Sequence, residues 1–181
     1  SHLNMRTNQL AHLLAGMGVG KGDRVGILSE NRAEYIETTF AAAKLGVILS
    51  ALNWRLAADE LRHCISLVEP KVVITSPRFS DALEPADWRG KTLVFGEAYE
   101  RLLERSCNTE ILVDIAPEDG FLILYTSGTT GLPKGALISH RAELARMNLS
   151  RIDLGLVEGD GFIAWAPMFH MVSLEHAIHV L

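Results

Sequence analysis

The chain has 181 residues, 48% of them apolar and 22% charged, which is ordinary for a soluble globular protein and enough to bury a substantial core. A net charge of −5 without a block of Lys or Arg argues against nucleic acid or an anionic membrane surface as a partner, and no apolar run reaches the length of a transmembrane segment. Cys64 and Cys107 stand far apart with no C-x-x-C, and no signal-peptide pattern opens the chain, so free thiols in a cytoplasmic enzyme are the expectation.

In chain order, Thr7 to Met17 places Leu10, Leu13, Leu14 and Met17 at helical spacing, and Gly16, Gly18 and Gly20 predict where that helix stops. Lys21-Gly22-Asp23 turns into a strand at Arg24 to Leu28. Asn31, with Glu34 three residues on, reads as a capping box that opens a helix burying Ile36, Phe40 and Ala43. Val47 to Ala51 is the next strand. Asp59 and Glu60 favour a helix start, with Leu61, Cys64, Ile65 and Val68 on its inner face. Pro70 breaks that helix before a strand at Val72 to Thr75. A looser stretch with Pro77 and Pro85 follows, then a short strand at Thr92 to Phe95 and a helix over Glu97 to Arg105. Ser106 to Gly120 reads as a polar connector, with a short strand at Ile111 to Val113. Strands alternating with helices at this spacing predict the α/β class, with doubly wound, mostly parallel sheets flanked by helices.

Phe121 to Tyr125 has the length and β-rich composition of a buried strand. After it the side chains become small and polar: Thr126, Ser127, Gly128, Thr129, Thr130 and Gly131. Gly128 and Gly131 permit backbone conformations that let amide N–H groups converge on an anion. Four hydroxyls add donors, and Lys134 adds a mobile positive charge beside Pro133. The P-loop signature G-x-x-x-x-G-K-[ST] does not fit. Pro133 stands where its second Gly belongs, Gly135 where Ser or Thr belongs, and this loop leads into another strand, Ala136 to Ser139. The reading is a polyphosphate loop of a different kind. Ser139 then N-caps a helix to about Arg151, a strand runs from Phe162 to Ala166, and a loop at Pro167 to Ser173 precedes a last helix from Leu174.

The segment YTSGTTGLPKG resembles the signature of the adenylate-forming enzymes, a family that includes acyl- and aryl-CoA synthetases, firefly luciferase and the adenylation domains of peptide synthetases. The stretch from Val19 to Ile65 is similar to the early part of an acyl-CoA synthetase, and APMFHMVS resembles the family's next motif. Asn53 and His170 stand where amino-acid-activating relatives usually carry Asp, which leans toward the CoA-ligase branch. The resemblance implies two steps: a carboxylate attacks the α-phosphate of ATP to give an acyl-adenylate and pyrophosphate, then the thiol of coenzyme A displaces AMP. It implies ATP and Mg2+ at Thr126, Ser127, Gly128, Thr129, Thr130, Gly131 and Lys134. Thr126 is the position whose hydroxyl approaches the metal, and Thr126 and Lys134 carry the catalytic role. Phe169 and His170 would border the pocket of a small-molecule carboxylate. LNWRL and PMFHM are similar to fatty-acyl and related synthetases.

Blander readings stand beside these. Lys134 could be a plain surface charge, and His170 an inert core histidine. His170 could also join His176 and His179 at a zinc ion, although no H-E-x-x-H pattern appears. Trp165 and Phe169 could line an acyl tunnel or simply fill core. Cys64 sits at a buried helix position that ill suits a nucleophile.

Family members are much longer, with Mg2+-binding, ribose-binding and hinge motifs beyond the APMFH segment and a small C-terminal domain, which these 181 residues are expected to lack. The expected organisation is a first α/β subdomain at 1–105, a connector at 106–120, and at 121–181 the phosphate-loop strand pair with the start of a second, truncated subdomain. An N-terminal fragment of this kind is expected to be inactive alone and to expose an apolar face, which leaves self-association as a homodimer open. Two alternatives remain: a non-catalytic nucleotide- or partner-binding homologue, and an adenylation domain that does not use CoA.

Overall fold

Short runs of Val, Ile and Leu make strands that are buried on both faces, as parallel sheets require. The computed structural model describes residues 1–126 and 131–181. Its strands are β1 (Arg24–Leu28), β2 (Ile48–Ala51), β3 (Val72–Thr75), β4 (Lys91–Val94), β5 (Gly120–Thr126) and β6 (Lys134–Ser139). They form one sheet in the order β4-β3-β1-β2-β5-β6, parallel throughout except for the antiparallel pair β5–β6. Helices α1 (His2–Gly16), α2 (Ala33–Leu45), α3 (Ala58–Val68), α4 (Glu97–Glu104), α5 (His140–Leu154) and α6 (Met171–His179) surround it. None of the described helices is long and apolar enough to cross a membrane.

The pleat sorts side chains to two cores. Val25 and Ile27 of β1 with Val72 and Ile74 of β3 face Leu10, Leu14, Tyr35, Ala42 and Leu103. Leu28 and Val73 point the other way, onto Leu61, Cys64 and Ile65 of α3. The sheet is therefore wound on both sides, as predicted. Gly46 closes α2 in the left-handed conformation, φ 67°, which frees the chain to turn directly into β2.

Five local expectations change. Asn31 does not cap α2; Arg32 holds the N-cap position and pairs with Glu34 instead (2.6 Å). Phe40 and Ala43 are only half-buried, because α2 turns Tyr35, Thr38, Thr39 and Ala42 inward. No strand forms at 111–113. The connector is held by side chains of α1, with Asn8 Nδ2 donating to Asn108 O (3.1 Å) and His12 Nε2 3.0 Å from Thr109 O. Nor does a strand form at 162–166, and α6 begins at Met171, three residues earlier than expected.

Two polar clusters lock helices together. Arg6 of α1 forks onto two carboxylates, Nη2 to Glu37 Oε2 of α2 (3.0 Å) and Nη1 to Glu100 Oε2 of α4 (2.6 Å). The hydrogen bonds to Glu100 and Glu37 raise the Arg6 pKa further above its usual value. Between α5 and α6, Glu143 Oε1 lies 3.2 Å from His179 Nε2. Burial, with Glu175 nearby, pushes the Glu143 carboxyl up to about 7, and burial pushes the His179 imidazole down. Both shifts favour the uncharged forms of this buried hydrogen-bonded pair. Arg146 is satisfied by Glu175, Nη2 to Oε2 at 2.7 Å. The surface of α5 exposes Leu144, Leu149, Ile152 and Leu154.

Glu37 is only 5% exposed, so Arg6→Met leaves a buried carboxylate unpaired and is expected to cost about 3 kcal/mol. Adding Glu37→Gln should recover part of the loss. Urea midpoints for the three proteins check this, and equal midpoints for wild type and Arg6→Met would remove the triad from the account. For Glu143 the sign follows from a folded pKa above the unfolded one. Its contribution is present in full below the ordinary carboxylate value of 4.5 and lost as pH rises through about 7. Glu143→Gln should therefore gain on wild type in melting temperature between pH 5 and pH 8. A constant difference across that range would mean the pair is not neutral.

Candidate functional site

In an open α/β sheet the crevice for ligands lies beyond the carboxyl ends of the strands, where the strand order reverses. Here that point lies between β1 and β3. From β1 the chain winds one way to β2 and then returns past β1 to β3 and β4. Asn31 follows β1, Asn53 and Trp54 follow β2, Ser76 follows β3, and Thr126 ends β5. Segment 161–170 lies against this edge. Asn31 Nδ2 donates to Ala164 O (2.8 Å) and Ala166 O (2.7 Å), and its Oδ1 accepts from Met168 N (2.8 Å).

The pleated hairpin β5–β6 sets out the phosphate-loop candidates. Thr126 and Lys134 are cross-strand partners at its loop end, and both are exposed. Lys134 is thus the first residue of β6 rather than part of the loop. Ser127, Gly128, Thr129 and Thr130 lie outside the described residues. Gly131 has φ 105°, a left-handed backbone that a Cβ would strain. Pro133 is buried, and its carbonyl lies 3.1 Å from His63 Nε2 of α3. The Tyr125 hydroxyl donates to Cys64 O (3.0 Å) and lies 2.8 Å from Ser50 Oγ, tying β5 to α3 and β2. His63, Tyr125 and Asn31 are the supporting residues that sequence reasoning missed. Nothing local marks them, because each partner is remote in sequence.

Phe169 is buried, edge-on to the Trp54 ring at 5.8 Å, and Trp54 in turn stacks on Phe79 at 5.2 Å. His170 is exposed at the N-cap position of α6, its ring 4.4 Å from that of Phe169, so it is not a core histidine. Thr126 and His170 border two concavities together. One, of about 280 Å3, includes Phe169. The other, of about 210 Å3, includes Gly131, Asn53 and Glu60. The structure thus brings Thr126, Gly131, Phe169 and His170 to one place, with Lys134 reached through the ladder.

Oxygen donors at the second concavity are the Thr126 hydroxyl, the Asn53 amide and the Glu60 carboxylate, the last accepting from Ala57 N (3.0 Å). Such a sparse, hard donor set fits Mg2+, which is typically held by one or two protein oxygens together with substrate phosphates. A zinc ion shared by His170, His176 and His179 does not fit. His176 Nδ1 faces Val172 O at 2.7 Å with its ring on Phe162, and His179 is spent on Glu143. Among the described residues no three His, Cys, Asp or Glu side chains converge on a common point as metal ligands. Trp165 is 76% exposed, so it is not core; with Arg55, His170 and Met171 it borders an open concavity. Burial pushes the Cys64 thiol up to about 12, which keeps it from acting as a nucleophile. A separate apolar concavity of about 170 Å3 beside α5 is lined by Phe40, Phe121, Met147 and His179 and includes none of the phosphate-loop candidates, Phe169 or His170.

Comparison with known proteins adds four findings. A family model described as AMP-binding enzyme matches residues 1–181. The chain is 39% identical over 180 residues to the indoleacetate–CoA ligase of Aromatoleum aromaticum, covering 93% of this chain and 35% of that protein. It is 33% identical over 181 residues to the fatty acid–[acyl-carrier-protein] ligase ScoC of Streptomyces coeruleorubidus, covering 95% and 34%. The inhibitor-bound N-terminal domain of FACL13 from Mycobacterium tuberculosis superposes with a TM-score of 0.88 at 30% identity, covering 98% of this chain and 46% of that one. The chain spans about a third of the length of these curated relatives.

Proposed function

This chain belongs to the AMP-binding enzyme family, and we propose that it is the phosphate-binding part of an AMP-forming acid–thiol ligase. A carboxylate oxygen attacks the α-phosphorus of ATP, the bond to the β-phosphate breaks, and pyrophosphate leaves. A thiol then attacks the acyl carbon of the adenylate and AMP departs. The observation that carries this reading is the meeting of Thr126, Gly131 and His170 at the carboxyl edge of the sheet, with Lys134 beside Thr126.

In this reading Lys134 and the hydroxyls of residues 126–130 stabilise charge on the β- and γ-phosphates as pyrophosphate departs. Thr126 would help hold Mg2+, which would supply further charge neutralisation at the phosphates. Phe169 and His170 form the wall nearest the carboxylate. Coenzyme A is the thiol that the similarity to indoleacetate–CoA ligase supports. The similarity to ScoC supports a second reading, in which a carrier-protein thiol takes the acyl group. A cytoplasmic setting, a boundary near residues 106–120 between two subdomains, and self-association of the isolated chain through the apolar surface of α5 belong to the same reading.

Carboxylate-dependent ATP–pyrophosphate exchange on the longest protein its gene encodes is the test, with short, long and aromatic acids. Lys134→Ala should slow exchange by roughly a hundredfold, the scale of losing one preorganised donor, while the melting temperature stays put. Wild-type exchange that survives the substitution unchanged would remove Lys134 from the chemistry. No exchange with any acid would leave a binding module in place of a ligase.

A further inference from the structure

The three hydrogen bonds of Asn31 have a geometry that side-chain caps do not. Its partners are the carbonyls of Ala164 and Ala166 and the N–H of Met168, at alternate positions of one segment that bends around the amide. The amide of Asn31 therefore gathers the backbone of 164–168 around itself, using its NH2 group and its oxygen together. Among the described residues these are the only hydrogen bonds that tie 161–170 to the rest of the chain; the other bonds of the segment are local, such as His170 N to Pro167 O (3.0 Å).

What the amide holds is specific. Met168, whose N–H it accepts, precedes Phe169 and His170 directly, and Met168 and Phe169 are both buried while Trp165 stands in solvent. The base of the clamp is itself braced. Glu30 accepts from the Ser76 hydroxyl at the end of β3 (2.6 Å), and Arg32 on the other side is paired with Glu34. A rigid β1 edge thus reaches over the crevice and fixes the turn that carries His170 to Thr126.

We propose that Asn31 is a positioning residue for the carboxylate side of the site. It sets Phe169 and His170 without touching the nucleotide side, where Thr126 and Lys134 are placed by the β5–β6 register. The proposal rests on the ligase reading above. It predicts a split: loss of the clamp should weaken carboxylate use and leave ATP use alone, whereas a general structural support would damage both.

The experiment uses the longest protein its gene encodes, as wild type, Asn31→Ala and Asn31→Asp. Asp preserves size but sets a carboxylate against the carbonyl oxygens of Ala164 and Ala166. Amide hydrogen exchange is read at segment 161–170 and pyrophosphate exchange with each substrate varied in turn. Both variants should release protection at Met168 by about tenfold, with α2 and β1 unchanged. The KM for the carboxylate should rise by about tenfold and that for ATP by less than about twofold. Unchanged protection at Met168 in both variants would overturn the clamp. Released protection with both KM values raised equally, or with neither raised, would overturn the positioning role. A wild type without pyrophosphate exchange, yet with Met168 released in the variants, would sink the ligase reading and this role with it, while the clamp would stand.

Discussion

Parallel pairing of β1 with both β2 and β3 dictates most of the architecture. A parallel strand cannot be joined to its neighbour by a tight turn, so each connection must cross back over a face of the sheet. The crossings cover both faces, which is why the strands can be uniformly apolar, and they deliver every strand end to the same edge. Asn31, Asn53, Ser76 and Thr126 meet there without any of them being near another in sequence. The antiparallel β6 is the exception, and it serves the same edge by returning Lys134 beside Thr126.

The site is thus built from two kinds of positioning. Thr126 and Lys134 are placed by backbone register, supported by the Tyr125 hydroxyl against α3 and by His63 against Pro133. Phe169 and His170 are placed by side chains: the Trp54 ring on one side and the Asn31 amide on the other. Register is rigid because many hydrogen bonds share it. A side-chain clamp concentrates the same task in one residue.

This division explains what can be read in the sequence. Strands β1 and β3, the inner face of α3 and the start of α5 at Ser139 are legible, since each is decided by residues within one element: a run of Val and Ile, a helical period, a cap. The adjacency of Thr126 and Lys134 is foreshadowed because a hairpin is local. Asn31 has the spacing of a cap, three residues before Glu34, whereas its true partners lie far along the chain. Thr38 and Thr39 are poor candidates for a buried face by residue type, yet their hydroxyls bond back to Glu34 O (2.7 Å) and Tyr35 O (2.9 Å), which makes burial tolerable. Segment 162–166 has the residues of a strand, but its carbonyls found an amide side chain in place of a neighbouring strand.

The position of β5 implies an order of assembly. β1, β2, β3 and β4 pair with partners that emerge close to them in the chain, but Leu49 of β2 must wait for Leu122 of β5. Closing so long a loop costs conformational entropy that is not recovered until the strands meet. During synthesis, the outer edge of β2 stands unpaired while the polar connector is still being made. Exposed edges of this kind invite pairing with other chains. The straps from Asn8, His12 and Lys21 to connector carbonyls at 108, 109 and 114 shorten that interval, because they lay the connector down before β5 has to find its place.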